Sequence, residues 1–307
     1  MEINSSISYI MPNLLIGLCK SSKYLQPYST IFHEQLGYDF FRLELLFQLS
    51  SRNRISPDAI LISTKLENTL LFEWTEAVEV SSRKQNQQDH YANVTSSDLA
   101  NFAAVPAIAA KTFDIVLTLR PSAIANFQSN LSSNSRTFPI LELDQQDLVV
   151  ILSKVANSFQ VAQTDDFFIR SIRFERLPRY IPFSLETNQP REMVPFVIQH
   201  LVSLLVKREI VVSLPDFCKG FIPAWDLIGR EKKSELSGTA KGLINDLVRK
   251  RWGSQLAQRE GDNPPTWALA PDVFKKNSKG FRKQLIEFIA EVRGETYQPG
   301  LDFGAET

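Results

Sequence analysis

The sequence predicts an α/β (α+β) protein in which a mixed β-sheet flanked by helices is followed by a mostly helical domain. Three observations support this prediction. The chain has 307 residues, which is about twice the length of a typical domain. Strand-length and helix-length apolar patterns alternate over the first half, as is typical of a sheet covered by helices. From residue 191 onward the apolar patterns are helical, with one short strand.

The elements of the first half follow from the spacing of the apolar residues. Apolar residues recur at helical intervals over residues 31–50, with Gly37 as a soft break, and predict a first helix. Two apolar runs, 58–63 and 69–75, flank a polar turn and predict a β-hairpin. The remaining predicted elements are, in chain order, a polar helix at 81–94, a strand at 112–119, a helix at 123–131, a strand at 138–143 and a helix at 145–159.

Residues 161–192 contain Pro178, Pro182 and Pro190 and are predicted to be an irregular connection. Within this connection, residues 167–174 have a strand-like pattern. The predicted domains are therefore 1–160 and 193–293, with a tail at 294–307. The elements predicted for the second domain are helices at 192–208, 214–220, 222–229 and 237–252, a strand at 266–270, a basic turn at 275–280 and a helix at 281–292. This order is similar to a winged helix-turn-helix.

The composition favours a folded protein and excludes several classes of site. Hydrophobic residues make up 43% and charged residues 22% of the chain, unlike disordered or collagen-like sequences. Cys19 and Cys218 are far apart and predict neither a disulfide framework nor a cysteine metal site. Three histidines make a histidine-rich metal site a poor candidate. The longest apolar run, 194–206, is too short to span a membrane, so we expect a cytoplasmic protein without a membrane partner.

Charge is balanced in total but concentrated in the second half. The whole chain has 34 basic and 34 acidic residues, whereas residues 207–293 carry 17 basic and 11 acidic residues, a net charge of +6. A basic module makes nucleic acid an obvious candidate partner. A solvated surface without a nucleic-acid partner explains the same charge.

Two acidic residues of the predicted hairpin carry the main functional signal. Pro57-Asp58 opens the first strand, and Glu73-Trp74-Thr75 closes the second. Side chains alternate across a strand, so Glu73 and Thr75 project from one face, and Asp58 projects with Ile60. If the strands pair through these faces, the two carboxylates converge and can bind a hard cation such as Mg²⁺. Taken singly, Asp58 after a proline is more often a turn residue than a ligand, and Glu73 at a strand end is usually solvated.

These motifs resemble the PD-(D/E)XK nuclease superfamily over about residues 30–120. The resemblance implies the restriction-endonuclease-like fold and a Mg²⁺- or Mn²⁺-dependent hydrolysis of phosphodiester bonds in DNA, with Asp58 and Glu73 as metal ligands. Glu34, on the first predicted helix, occupies the position from which many members supply a further metal-binding acid.

The helix predicted after the hairpin adds to the resemblance. Lys84, Gln87 and Tyr91 are spaced by three and four residues and share one helix face. Gln87 and Tyr91 match the Gln-x-x-x-Tyr pattern of the exonuclease-like branch, in which these residues support the site and the DNA.

Thr75 departs from the family pattern, which places a lysine there. Threonine carries no charge and cannot stabilise developing negative charge, so Lys84 is the predicted substitute, with Arg83 next. Two interpretations follow: a nuclease with a relocated lysine, and a catalytically inactive nuclease fold kept for DNA binding or assembly. A third is an α/β interaction protein that is unrelated to the superfamily.

Basic residues of the second half predict a DNA-binding surface. A helix that presents Lys241, Asn245 and Arg249 at intervals of four has the form of a major-groove helix. The predicted DNA-binding residues are Lys232, Lys233, Lys241, Asn245, Arg249, Lys250, Lys276 and Lys279. A winged helix that binds proteins is the competing interpretation. A nuclease-like domain before a winged helix resembles subunits of phage-defence, restriction and transposition systems, and so predicts DNA and further protein subunits as partners.

Overall fold

The computed structural model divides the chain into two compact units, Met1–Ile181 with Asp226–Lys232, and Pro182–Trp225 with Lys233–Thr307. The division after Ile181 falls inside the segment 161–192 that was predicted as a connection. No helix in the described part of the chain is both long and apolar enough to cross a membrane. The residues that the structure describes are 6–49, 54–76, 90–101, 105–130, 138–146, 149–185, 189–207, 211–252, 256–258, 266–269 and 278–294.

A seven-stranded mixed sheet forms the centre of the first unit, so the predicted α/β class is confirmed at this level. Its order is β1-β4-β5-β6-β7-β8-β9. The pairs β5–β6 and β6–β7 are parallel, and the other pairs are antiparallel. The strands are β1 Tyr38–Leu43, β4 Ala59–Ser63, β5 Asn68–Thr75, β6 Thr112–Leu119, β7 Ile140–Gln146, β8 Val149–Ala156 and β9 Ile172–Phe174; β2 Phe47–Gln48 and β3 Arg54–Ile55 form a separate small pair.

The predicted hairpin is confirmed as β4 and β5. Its register runs from Ser63 opposite Asn68 to Ala59 opposite Phe72. The polar turn between the strands places Glu67 at a positive φ of 54°, a conformation that suits turns. Apolar side chains of β4 and β5 are buried on both faces of the sheet, which explains why both strands read as nearly continuous apolar runs.

One sheet face is covered by the first helix, which the sequence analysis did not predict. All residues of α1, Ile7–Cys19, are buried, and the helix contacts β1 and β5. Asn13 is the polar residue that fixes this helix to a later segment of the unit. Its amide donates to the carbonyls of Tyr9 and Ile181 at 2.9 and 2.8 Å, and its oxygen accepts the N–H groups of Tyr180 and Ile181 at 2.7 and 2.8 Å.

The other sheet face carries a hydrophobic core. Ile60, Leu71, Ile115 and Leu117 pack there together with Tyr91. The helices of the unit, besides α1, are α2 Ser96–Asn101, α3 Pro121–Asn130 and α4 Ala162–Ile169, with 3₁₀ turns at Lys23–Leu25 and Ala107–Ala110 and a π-helical segment at Thr30–Gln35.

Two helices predicted for the first domain are wrong. The helix predicted at 31–50 ends at Gln35, because Gly37 has a φ of 72° and starts the chain into β1. The helix predicted at 145–159 is strand β8, which pairs with β7 on one side and β9 on the other. Its Val149-Val-Ile-Leu152 run is rich in β-branched residues, which suit a strand that is paired on both sides. The strand-like pattern at 167–174 divides into the end of α4 and β9.

The second unit contains helices and a three-stranded antiparallel sheet of order β10-β12-β11. The predicted helices at 192–208 and 281–292 and the predicted strand at 266–270 are confirmed. The helix predicted at 222–229 is wrong, since this stretch has only a 3₁₀ turn at Trp225–Leu227. Helix α6 is capped by Ser213, whose hydroxyl accepts the Asp216 N–H at 3.3 Å. The elements are α5 Gln189–Lys207, β10 Val211–Ser213, α6 Leu214–Phe221, a 3₁₀ turn Trp225–Leu227, α7 Arg230–Leu247, a π-helical segment Val248–Trp252, β11 Leu256–Gln258, β12 Thr266–Leu269 and α8 Ser278–Arg293.

Candidate functional site

The sheet brings Asp58 and Glu73 together. The last pair of the β4–β5 register is Ala59 with Phe72, and Asp58 and Glu73 are the next residues on either side. Side chains directly opposite each other in an antiparallel pair have Cβ atoms about 5 Å apart. Both residues are half-buried, so the two carboxylates share one partly sheltered position at the end of the hairpin.

Hydrogen bonds orient each of the two carboxylates. Asp58 Oδ2 accepts the backbone N–H of Trp74 at 2.8 Å. The hydroxyl group of Tyr91 donates to Glu73 Oε1. Tyr91 is 1% exposed and belongs to the core under the sheet, so the atom that orients Glu73 is itself held by packing. The prediction that Tyr91 supports the site therefore has a structural counterpart in a direct contact with Glu73.

The donor set fits a small divalent cation. Both groups are carboxylates, and Mg²⁺ in proteins is commonly held by one or two carboxylates together with water and substrate phosphate. No cluster of three or more histidine, cysteine or acidic residues with metal-binding geometry occurs within the described part of the chain. The structure thus offers a two-carboxylate site, not a closed cage of protein ligands. Thr75, two residues beyond Glu73, is 6% exposed and adds no charge.

Glu34 does not join this pair. It lies in the π-helical segment Thr30–Gln35, is exposed, and accepts a hydrogen bond from Ser21 Oγ at 3.3 Å. The segment is anchored at the far end of β4, where Ser63 Oγ donates to the carbonyl of Leu36 at 2.7 Å. Five residue steps along the chain separate Ser63 from Asp58, which is roughly 17 Å at 3.3 Å per residue. The structure gives no support to Glu34 as a third ligand.

Lys84 and Gln87, and the second substitute Arg83, lie outside the described residues. Of the helix face predicted from Lys84, Gln87 and Tyr91, the structure therefore describes Tyr91 alone.

Lys232 was predicted to bind DNA, and the structure places it elsewhere. Its side chain is buried, and Nζ lies 3.4 Å from Glu44 Oε2, within the first unit. A cation that contacts the DNA backbone has to reach solvent, so this prediction does not fit. Lys233 is half-buried, with Nζ 5.8 Å from the centre of the Trp225 ring.

The predicted DNA-binding residues of α7 beyond Lys233, and those of the π-helical segment after it, are more accessible than Lys232. Asn245 and Arg249 are exposed and Lys241 is half-buried. Arg249 forms an i,i+3 ion pair with Asp246 at 2.9 Å, and Lys250 pairs with Glu291. Lys276 lies outside the described residues. Lys279 belongs to helix α8, not to a turn.

Residues 228, 229 and 232 contact the end of β1 and the following residue Glu44, which the sequence analysis missed. Gly229 N–H donates to the carbonyl of Leu43 at 2.7 Å, and Ile228 forms a parallel bridge with Leu43. The next residue, Glu44, donates its N–H to the carbonyl of Asp58 at 3.1 Å. The separation in sequence is close to 190 positions, and no local spacing could have revealed this contact.

A cavity of about 590 Å³ lies at the carboxyl ends of the parallel strands and was also missed. Arg120 lines it, with Nε 3.8 Å from Glu76 Oε2 and Nη1 donating to the Leu143 carbonyl at 3.3 Å. Asp144 also lines the cavity. Burial, with a smaller contribution from Asp144, raises the pKa of neighbouring Glu142. Ligands of open α/β sheets commonly bind at this edge.

The fold and the site define a mixed α/β protein with a pair of carboxylates at the end of a central hairpin. Residues 8–181, more than half of the chain, match the MJECL32 domain family, and the chain belongs to this family. The match ends at the residue that closes the main segment of the first unit. Searches of the curated proteins and of the solved structures found no match.

Proposed function

We propose that this protein is a metal-dependent nuclease that hydrolyses phosphodiester bonds in DNA. The observation that carries the proposal is that Asp58 and Glu73 directly follow the last pair of the β4–β5 hairpin, Ala59 with Phe72, each with a hydrogen bond that orients it. The order of the hairpin motifs along the chain supports a restriction-endonuclease-like fold for the first unit.

The side chains have separate roles in this proposal. Asp58 and Glu73 hold Mg²⁺ or Mn²⁺, and Tyr91 keeps the Glu73 carboxylate in position. The bound cation supplies polarisation of the phosphodiester and activation of water. Trp74 N–H orients Asp58 from the backbone, so side-chain replacement at position 74 leaves this contact in place.

For the second unit we propose a winged helix that binds DNA. Two features support this proposal: helices α6 and α7 are consecutive helices of the chain, and β11 and β12 are paired antiparallel neighbours. Asn245 and Arg249 are exposed near the end of α7 and are the groups best placed to contact a duplex. The combination of a nuclease-like unit with such a module further supports a role in a phage-defence, restriction or transposition complex that contains other subunits.

Thr75 favours a second candidate function, which is a catalytically inactive nuclease fold that binds DNA or assembles a complex. The position at which the superfamily carries its lysine is filled by an uncharged side chain that is 6% exposed. In this case the carboxylate pair and the DNA-binding module persist, but phosphodiester hydrolysis does not occur.

Cleavage of plasmid and linear DNA separates the two candidates. The wild-type chain is incubated with Mg²⁺ or Mn²⁺ and compared with Asp58→Ala and Glu73→Ala, and Glu34→Ala serves as a matched acid-to-alanine control. The nuclease proposal expects cutting that Asp58→Ala and Glu73→Ala abolish and that Glu34→Ala retains. Absence of cutting with either metal and with partner subunits, together with salt-dependent DNA binding, supports the inactive fold.

A further inference from the structure

The segment that follows helix α4 carries an arginine at every third position. The arginines are Arg170, Arg173, Arg176 and Arg179. Together with Glu175, they give residues 170–179 a net charge of +3. The apolar residues of β9 are buried, whereas all four arginines are exposed. The packing of β9 therefore leaves the positive charge of the segment in solvent.

Two of these arginines line an open cavity of about 460 Å³ beside β9. The lining residues are Tyr24, Val149, Arg173, Phe174, Glu175 and Arg176. β9 is the last strand in the order of the sheet, and Arg173 is paired there with Ile151 of β8. The sheet therefore fixes the backbone from which the Arg173 side chain extends.

The arginines of the cavity are available to a ligand. Within the described part of the chain, neither Arg173 nor Arg176 forms an ion pair, and neither does Glu175. Lys154 of the same unit, by contrast, lies 2.6 Å from Asp165. A guanidinium group can donate two parallel hydrogen bonds to a phosphate group, so exposed arginines around a concave surface suit a ligand with several phosphates.

An exposed aromatic side chain lines the same cavity. Tyr24 is 47% exposed, and it lies in a 3₁₀ turn that is held by buried Leu25 and by Ser22, whose hydroxyl accepts the Tyr24 N–H at 3.4 Å. Lys23 Nζ lies 5.4 Å from the centre of the Tyr24 ring and adds a cation beside the cavity. With Lys23 and the two arginines against Glu175, the local net charge is +2. Proteins that bind single-stranded nucleic acid combine such cations for the backbone with aromatic rings for the bases.

We propose that this cavity binds single-stranded nucleic acid, with Arg173 and Arg176 on backbone phosphates and Tyr24 stacked on a base. In the order of the sheet, β9 is four strands from β5, which carries Glu73, and this is roughly 19 Å at about 4.8 Å per strand. The cavity is therefore distinct from the carboxylate pair. The inference goes beyond the proposed function, because it concerns binding by the first unit and requires neither a metal nor hydrolysis.

The test is fluorescence anisotropy of a labelled 12-nucleotide single strand, as DNA and as RNA, with the full chain in EDTA. Loss of two phosphate contacts in the double variant Arg173→Ala, Arg176→Ala reduces the slope of log K against log salt by about 1.4. If the two lines meet at 1 M salt, this is roughly 25-fold weaker binding at 0.1 M. Tyr24→Ala weakens binding about fivefold or more without changing the slope, and Tyr24→Phe keeps the affinity because the ring remains. Lys65→Ala, which removes an exposed cation from the β4–β5 turn, is the control and keeps both the slope and the affinity.

Three results would overturn the inference. The first is a slope in the double arginine variant that equals that of Lys65→Ala. The second is an equal effect of Tyr24→Ala on a duplex of the same sequence, since paired bases cannot stack on the ring. The third is a wild-type chain that binds neither single strand but binds phosphatidylglycerol vesicles through the same arginines. If the arginine variant does not fold by circular dichroism, Tyr24→Ala decides, and unchanged single-strand binding in that variant refutes the inference.

The binding assay and the cleavage assay fail independently of each other. Single-strand binding that depends on Arg173 and Arg176, without any cleavage in Mg²⁺ or Mn²⁺, supports this inference and rejects the nuclease proposal alone. Cleavage that depends on Asp58 and Glu73, with single-strand binding that the arginine variant leaves unchanged, has the opposite meaning.

Discussion

Gly229→Ala adds a single methyl group, but we expect it to destabilise the first unit strongly. The added Cβ would lie 2.3 Å from the Glu44 carbonyl oxygen and 3.0 Å from the Leu43 carbonyl oxygen. Both are backbone atoms of a strand end and cannot rotate away. Relief requires a shift of about 1 Å between the segments, which strains the 2.7 Å bond from Gly229 N–H to Leu43. Overpacking of this kind costs about 1–3 kcal/mol.

The lost hydrogen bond adds to this cost. A net contribution of about 1 kcal/mol for the bond brings the expected loss in the free energy of unfolding to about 2–4 kcal/mol. Gly242→Ala is the matched control, because an added Cβ there meets nothing within 4 Å and the residue lies inside helix α7. Alanine is a better helix former than glycine, so this variant gains about 0.5–1 kcal/mol.

Urea unfolding followed by circular dichroism measures both variants, and hydrogen exchange locates the change. The amides of Glu44 and Gly229 are expected to exchange faster in Gly229→Ala, whereas those of α5 keep their protection. Equal unfolding free energies for Gly229→Ala and the wild-type chain would show that residues 226–232 do not hold the end of β1.

Two further predictions concern the α1 anchor and the second unit. Asn13→Leu leaves the backbone groups that Asn13 binds without this partner and lowers the free energy of unfolding by about 3–5 kcal/mol. Thermal unfolding measures this loss, and the control Asn101→Ala, at an exposed position, changes the free energy of unfolding by less than about 0.5 kcal/mol. The double variant Asn245→Ala, Arg249→Ala weakens binding of a short DNA duplex and reduces the slope of log K against log salt by about one. Fluorescence anisotropy measures this slope, and a slope that equals that of Lys65→Ala contradicts the proposed role of α7.

The sequence predicted the parts of the fold in which local and tertiary preferences agree. The β4–β5 hairpin was predicted because two apolar runs flank a polar turn, and strand β6 was predicted with the bounds that the structure has. Helix α1 was missed because its residues are buried on every side. A uniformly buried helix lacks the polar face that makes amphipathic periodicity visible.

The wrong elements have a common physical cause. Residues 38–43 have side chains at helical intervals, but Gly37 adopts a positive φ and the following residues pair with β4. In β8, pairing with both neighbours overrides the same kind of spacing. The intervals between apolar residues are a local property of the sequence. Whether these residues form a helix or a strand depends here on strand partners that are distant in sequence.

The candidate site shows the same difference between features set by local sequence and features set by contacts between distant segments. The convergence of Asp58 and Glu73 follows from strand alternation and one hairpin, so it depends on about 20 residues of local sequence and the sequence could predict it. The burial of Lys232 near Glu44 accompanies a contact between residues 43–44 and 228–229, whereas its place among the basic residues of the second half pointed to a DNA surface. A contact between segments that are so far apart in sequence leaves no periodic signal, so the folded chain is needed to find it.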